Sequence, residues 1–166
     1  MELVMTGLNH KLPYHAAFFP LFVDLRGKKA LVIGGGTVAE RRIKVLTAFG
    51  AEVTVISPEV TECIRNLASQ DNVCVVERKF KEGDVSELKP FLIVAAAGER
   101  QANHDAMREA KNLNILASIA DRRDECSFYF PAIIENGEYI AGLVSKNGNH
   151  KGVKQTAEKI RELLNA

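Results

Sequence analysis

Two kinds of hydrophobic pattern alternate along the chain. Short, nearly continuous apolar runs are typical of strands buried on both faces of a sheet, and they predict strands at residues 29–34, 52–57, 73–78, 90–98 and 115–120. Apolar residues that recur every three or four positions are typical of amphipathic helices, and this spacing predicts helices at residues 38–49, 60–70 and 100–114. Gly50 is expected to close the first helix.

Strands and helices that alternate with short links predict one parallel sheet covered by helices on both faces. We therefore predict a doubly wound α/β domain over residues 1–124. Residues 1–18 show no sustained period and are interpreted as a loose leader of that domain.

The pattern changes downstream of the last predicted strand. Residues 127–149 contain two β-rich runs, and Asn136-Gly137 between them is a strong hairpin signal. Residues 151–166 predict a helix with one apolar face. We assign residues 125–166 to a small hairpin-plus-helix segment. Its sequence FYFPAII holds more large apolar side chains than such a segment can bury alone, so we expect it to form the contact of a homodimer.

Three glycines follow the first predicted strand. Gly34, Gly36 and Ala39 form the pattern G-x-G-x-x-A between a strand and a helix, which in Rossmann-type domains binds the pyrophosphate of a dinucleotide. The first glycine permits a tight turn, the second lets backbone approach the phosphates, and the helix N-terminus adds free N–H groups. We favour a dinucleotide site over the alternative, a strand-to-helix corner without a ligand.

The end of the second strand indicates which cofactor binds. It reads Ser57-Pro58-Glu59, without an acidic residue at the first position, so Glu59 or backbone would hold the ribose hydroxyl. No arginine stands beside the strand end to hold a 2′-phosphate. This sequence favours NAD over NADP.

Composition and charge exclude several classes of partner. The chain has 166 residues and a formal net charge of +1, which argues against a nucleic-acid partner because such proteins are usually clearly basic. Its apolar runs are too short to span a membrane, and its N-terminus lacks signal-peptide features. The three cysteines form no CxxC pair, and no cluster has metal-ligand spacing. We therefore expect a cytoplasmic protein without a membrane or metal partner.

Two elements of the sequence are more specific than the glycine pattern. GGGTVAER, which begins at Gly34, and DRRDECSFYFPA, which begins at Asp121, together resemble the precorrin-2 dehydrogenase family, the N-terminal module of siroheme synthases. The likeness runs from Phe19 to Leu164. It implies a Rossmann domain followed by a dimerisation segment, and NAD-dependent oxidation of precorrin-2 to sirohydrochlorin. Two alternatives remain open at this point, a dehydrogenase that also inserts Fe²⁺ and a non-catalytic module that binds NAD or tetrapyrrole.

The resemblance also assigns residues to roles. It places the catalytic carboxylate at Asp121, where the chemistry calls for a group that accepts a proton or holds pyrrole N–H groups. It places cofactor contacts at Thr37, Val38, Pro58 and Glu59. The loop after the fourth strand usually reads A-A-T-D or A-A-T-N in the family. Here it reads Ala-Ala-Ala-Gly over residues 95–98, with Ala96 and Ala97 near the expected nicotinamide.

Basic residues are expected around the substrate because precorrin-2 carries eight carboxylates, which arginine and lysine bind well. The alternative for each of them is a solvated surface position. The candidates are Arg41, Arg42, Arg122, Arg123, Lys146, His150 and Lys151.

Overall fold

A computed structural model describes residues 18–69 and 72–164; the leader predicted at the N-terminus lies outside the described residues except for Phe18. The elements are β1 (Lys29–Ile33), α1 (Thr37–Ala48), β2 (Glu52–Ile56), α2 (Glu62–Leu67), β3 (Val73–Val76), α3 (Asp84–Leu88), β4 (Leu92–Ala95), α4 (Arg100–Asn112), β5 (Leu116–Ile119), β6 (Ala132–Glu135), β7 (Ile140–Leu143) and α5 (His150–Leu164). A single 3₁₀ turn covers Arg123–Glu125.

The chain forms two compact units. One is Val23–Phe130, and the other joins Pro131 and the residues after it to the described residues before Val23. The domain boundary at residue 124 stays a prediction, because compactness does not show which segment folds alone.

The larger unit contains a five-stranded parallel sheet in the order β3-β2-β1-β4-β5. The five predicted strands are confirmed, and so is the doubly wound Rossmann-type fold. Chain order reverses between β1 and β4, which meet along Ala30–Ile33 and Leu92–Ala95. In open α/β sheets, ligands bind outside the carboxyl ends of the strands at this reversal.

The central strand β1 contributes alternate side chains to two cores. Ala30 and Val32 pack with α1 and α2 on one face of the sheet. Leu31 and Ile33 pack with α3 and α4 on the other face. Because both faces are covered, the strand needs a continuous apolar sequence rather than an alternating one.

The helix α3 was not predicted from the sequence. It is only five residues long, too short to show a helical period, and tertiary contacts hold it. Glu109 of α4 accepts hydrogen bonds from the N–H groups of Gly83 (3.2 Å) and Ser86 (2.8 Å). Arg78 donates two hydrogen bonds, of 2.7 and 2.8 Å, to Asp84, whose side chain is only 1% exposed. Burial raises the pKa of Asp84, but bonds from Arg78 and from the Lys81 N–H outweigh it, so the pKa lies below its ordinary value.

Individual residues at the helix ends explain where α1 and α2 begin or end. α1 ends at Ala48, and Gly50 adopts a left-handed conformation (φ +78°), so the predicted closing glycine is confirmed. α2 is shorter than predicted: Thr61 caps it by accepting a hydrogen bond from the Ile64 N–H, and it ends at Leu67.

The smaller unit is the predicted hairpin with its helix. Strands β6 and β7 pair antiparallel, and Asn136 Oδ1 accepts hydrogen bonds from the N–H groups of Glu138 and Tyr139 in the turn. The helix α5 packs against β6, with Arg161 donating to the Ile133 carbonyl at 2.7 Å. Large apolar side chains remain exposed on this unit at Tyr139, Ile140, Val144 and Leu163.

Candidate functional site

A cleft of about 650 Å³ opens at the carboxyl ends of β1, β2 and β4, in the larger unit. It lies at the reversal of strand order, where this fold class binds nucleotides. All nine residues predicted to contact the cofactor line it. They are Gly34, Gly36, Thr37, Val38, Ser57, Pro58, Glu59, Ala96 and Ala97.

The first two glycines of the turn fit between neighbouring loops where no side chain could. Gly34 has a φ of +110°, and a Cβ there would lie 2.3 Å from the Ala96 carbonyl oxygen. A Cβ on Gly35 would lie 2.1 Å from the Glu59 carbonyl oxygen. Gly35 was missed in the sequence analysis, although it stands between the two glycines of the motif. Close packing with these loops therefore requires glycine at both positions.

Gly36 has a different role. It is the N-cap residue of α1, with φ −83° and ψ −173°, and nothing lies within 4 Å of the position of a Cβ. No side chain caps this helix end, so the N–H groups of the first turn, at Thr37, Val38 and Ala39, lack intrahelical partners. An open glycine before an uncapped helix N-terminus fits a pyrophosphate, since the N–H groups and the helix dipole both attract anions.

An acidic residue, Glu40, lies in the same helical turn, but its negative charge is balanced by a neighbouring lysine. Lys44 Nζ lies 2.7 Å from one carboxylate oxygen, and the Thr61 hydroxyl donates to the other at 2.8 Å. These hydrogen bonds lower the pKa of Glu40. They also hold the carboxylate against Thr61, beside α2.

Ser57 shapes the cleft at the carboxyl end of β2. Its buried hydroxyl donates to the Glu59 carbonyl at 2.6 Å and so closes the turn after β2. The side chain of Glu59 is exposed at the cleft. Two further lining residues, Lys79 and Glu99, were missed in the sequence analysis; they form an exposed ion pair at 2.6 Å. The charged residues of the lining are therefore two acids and one lysine, which is already paired.

Behind the loop that follows β4 lies a buried amide that the sequence analysis also missed. Asn103 of α4 is 1% exposed. Its Oδ1 accepts from the Ala97 N–H at 2.9 Å, and its Nδ2 donates to the Ala97 carbonyl at 3.0 Å. Nδ2 also donates to Asp121 Oδ1 at 3.2 Å. One side chain therefore links the cofactor cleft to the predicted catalytic carboxylate.

Asp121 follows β5 at the same edge of the sheet, and its side chain is 40% exposed. Arg100 Nη1 lies 3.7 Å from Asp121 Oδ1, and Nη2 of the same guanidinium donates to Glu125. This pairing with Glu125 raises the pKa of Arg100, so the cation is retained beside Asp121. The arrangement presents one carboxylate to solvent with an amide donor and a guanidinium behind it.

The predicted basic residues are divided between the two units. In the larger unit, Arg42 lies over the Phe130 ring (4.3 Å) and Arg123 over the Tyr129 ring (3.8 Å), while Arg41 and Arg122 are exposed. Burial lowers the pKa of Arg42. In the smaller unit, Lys146, His150 and Lys151 are exposed. Substrate contact by these residues stays a prediction.

The described residues form neither a metal cluster nor a membrane span. In residues 18–69 and 72–164, no group of three or more histidine, cysteine, aspartate or glutamate side chains could hold a metal ion. Within the same described part of the chain, none of the helices has the length and apolar character needed to cross a membrane.

Comparison with known proteins identifies relatives along most of the chain. A family model described as "Putative NAD(P)-binding" matches residues 21–132. The "probable multifunctional siroheme biosynthesis protein" of Ruminiclostridium josui is 44% identical over 146 residues, which cover 87% of this chain and 28% of that protein. A siroheme synthase of Neisseria meningitidis serogroup C is 33% identical over 149 residues, 90% of this chain and 30% of that protein. The chain therefore spans less than a third of the length of these relatives.

A solved structure is similar in fold over the same region. The precorrin-2 dehydrogenase SirC superimposes with a TM-score of 0.72 at 27% sequence identity, covering 87% of this chain and 70% of the other.

Proposed function

This chain belongs to the NAD(P)-binding family that forms the N-terminal part of siroheme synthases, and from that premise we propose that it oxidises precorrin-2 to sirohydrochlorin with NAD. One observation carries the proposal. The nucleotide cleft and the Asp121 carboxylate lie at the same edge of the sheet, and Asn103 bonds to both Ala97 and Asp121. A hydride acceptor and a proton acceptor are the two groups that this oxidation needs.

The cofactor fits the cleft from the glycine turn to the loop after β4. The N–H groups of Thr37 and Val38 would hold the pyrophosphate, Glu59 would bind the ribose, and Ala96 and Ala97 would contact the nicotinamide. When bound, NAD supplies the acceptor for the hydride that the substrate loses. We propose NAD rather than NADP because a 2′-phosphate would meet two acidic side chains and a lysine that Glu99 already pairs.

Asp121 is the group proposed to act on the substrate's proton. The oxidation removes a hydride and a proton from precorrin-2, and Asp121 accepts that proton or holds the pyrrole N–H groups through Oδ2. Its other oxygen, Oδ1, receives the Asn103 hydrogen bond, which fixes the direction of the carboxylate.

The substrate carboxylates are bound by basic side chains. We propose Arg41, Arg122 and Arg123 of the larger unit for this role. On the smaller unit, Lys146, His150 and Lys151 stay predicted candidates. Arginine binds carboxylates in pairs of hydrogen bonds, which favours it for the contacts nearest the reacting carbon.

We further propose that the protein works as a homodimer in the cytoplasm, with no nucleic-acid or membrane partner. The smaller unit exposes Tyr139, Ile140, Val144 and Leu163, and a second copy would bury them.

Anaerobic incubation with precorrin-2 and NAD tests the function, with sirohydrochlorin absorbance as the readout. Wild-type protein should form product, and Asp121→Asn should slow it by at least ~100-fold, since the amide cannot take a proton. Affinity for NAD should hardly change, because Asn keeps an oxygen for the Asn103 hydrogen bond. A variant with wild-type turnover would give Asp121 a structural role, whereas a wild-type protein that forms no product would favour a non-catalytic binding module.

A further inference from the structure

Asn103 is unusual among the polar side chains of α4. It lies on the same helix face as Ala106 and Ala110, the face that packs on the sheet, and like them it is almost fully buried. Burying an amide costs free energy unless its donors and acceptors find partners. Here they do: both amide hydrogens and the oxygen take part in hydrogen bonds.

The partners of this amide belong to two neighbouring strands. Ala97 follows β4 and Asp121 follows β5, and these strands pair in parallel from Leu92↔Leu116 to Ala95↔Ile119. Asn103 bonds to both the N–H and the carbonyl of Ala97, so it fixes the loop in two directions. Through Nδ2 it then fixes the carboxylate of Asp121. A side chain that only capped the loop would not need the third bond.

We propose that Asn103 is a positioning residue that fixes the position of the Asp121 carboxylate relative to Ala97 in the loop after β4. This rests on the proposed function, because it concerns how the hydride acceptor and the proton acceptor are aligned. Without the amide, the exposed carboxylate of Asp121 can adopt other rotamers, and small misplacements of a catalytic group reduce rates strongly.

The test compares Asn103→Ala with Asn103→Asp. The alanine variant loses all three bonds, so we expect turnover to fall at least about tenfold and NAD to bind a few-fold more weakly. The aspartate variant keeps the bond from the Ala97 N–H but faces Asp121 with a second carboxylate. We expect it to lose turnover by a similar factor while it retains more of the NAD affinity. Gln101→Ala, which removes an exposed amide bonded to Asp105 on the same helix, is the control and should change neither.

The decisive measurement is a double-mutant comparison by single-turnover kinetics. If Asn103 acts through Asp121, Asn103→Ala should slow wild-type protein but add almost nothing to Asp121→Ala. The proposal would be overturned if the two losses of rate multiply in the double variant and Asn103→Ala lowers Tm equally in wild-type protein and in Asp121→Ala. Asn103 would then be a purely structural residue. If the alanine variant does not fold, Asn103→Asp is taken through the same comparison.

The two proposals fail in different ways. A wild-type protein that forms no sirohydrochlorin contradicts the proposed function before any variant is compared. The NAD titrations do not depend on turnover, and equal NAD affinity of wild type and Asn103→Ala would by itself contradict the link to the loop.

Discussion

The substitution Gly36→Asp separates binding of the nucleotide from folding. Gly36 occupies a backbone conformation open to any L-residue, with free space around its missing Cβ. Aspartate is also a preferred N-cap residue, better than glycine by a few tenths of a kcal/mol. The variant should therefore fold and melt at or slightly above the wild-type temperature.

The same substitution should remove most of the NAD affinity. The new carboxylate would accept a hydrogen bond from the N–H of Val38 or Ala39 in the first turn and so compete with the phosphates for these donors. Two unit charges about 5 Å apart repel by about 3 kcal/mol at an effective dielectric constant of about 20. A loss of about 3 kcal/mol corresponds to an affinity lower by about two orders of magnitude.

Isothermal titration with NAD measures the effect, and thermal melting checks the fold. Gly36→Ala is the matched control: it adds a Cβ at the same place without charge and should weaken binding much less. The loss caused by the aspartate should shrink at high salt, because part of it is electrostatic. A folded Gly36→Asp protein with wild-type NAD affinity would refute the assignment of the phosphate site.

Three further outcomes are expected. Gly35→Ala should lower the free energy of unfolding by about 2 kcal/mol in urea titrations, because its Cβ would meet the Glu59 carbonyl at 2.1 Å; unchanged stability would show that the loop after β2 moves freely. Arg78→Met leaves buried Asp84 unpaired and should cost about 2 kcal/mol near neutral pH, less than for a fully buried pair because Arg78 is 37% exposed. The pKa of Asp84 is lowered in the folded protein, so the stabilisation is present above the unfolded pKa of about 3.9 and is lost as the pH falls through the folded pKa. The difference in free energy of unfolding between Arg78→Met and wild type should therefore narrow in acid. A difference independent of pH would exclude the ion pair as its cause. Light scattering at micromolar concentration should give the mass of a dimer, and a monomer would contradict the role given to the hairpin segment.

The cofactor cleft could be predicted from the sequence because its signals are local. The glycine turn, the end of β2 and the loop after β4 each follow a recognisable strand. Parallel strands bring their carboxyl ends to one edge, so these segments had to meet. The close approach of Gly35 to the Glu59 carbonyl depends on the path of the loop after β2, which no local pattern encodes.

The sequence carries a signal that points to Asn103. Its position relative to Ala106 and Ala110 places it on the apolar face of α4. A polar residue on a buried helix face requires a partner, and this was reason to examine it. That the partners would be Ala97 and Asp121 could not be predicted, because it depends on how the helix is placed against the sheet.

The basic residues were harder to interpret. Arg42 and Arg123 were chosen for charge, but the structure packs both guanidinium groups over aromatic rings. Such stacking uses the flat face of the guanidinium group. Sequence alone cannot tell a stacked arginine from a solvated one, since Phe130 is distant from Arg42 in the sequence and the contact of Arg123 with Tyr129 depends on the path of the turn between them.

The most direct test of the account counts both products of one reaction. Wild-type protein, precorrin-2 and NAD are mixed without oxygen, and NADH and sirohydrochlorin are followed in the same sample. We expect one NADH for each sirohydrochlorin, with both signals slowed together in Asp121→Asn, and in Gly36→Asp at an NAD concentration that saturates the wild-type protein. Sirohydrochlorin formed at the same rate without NAD, or no formation of either product by the wild-type protein, would contradict the account.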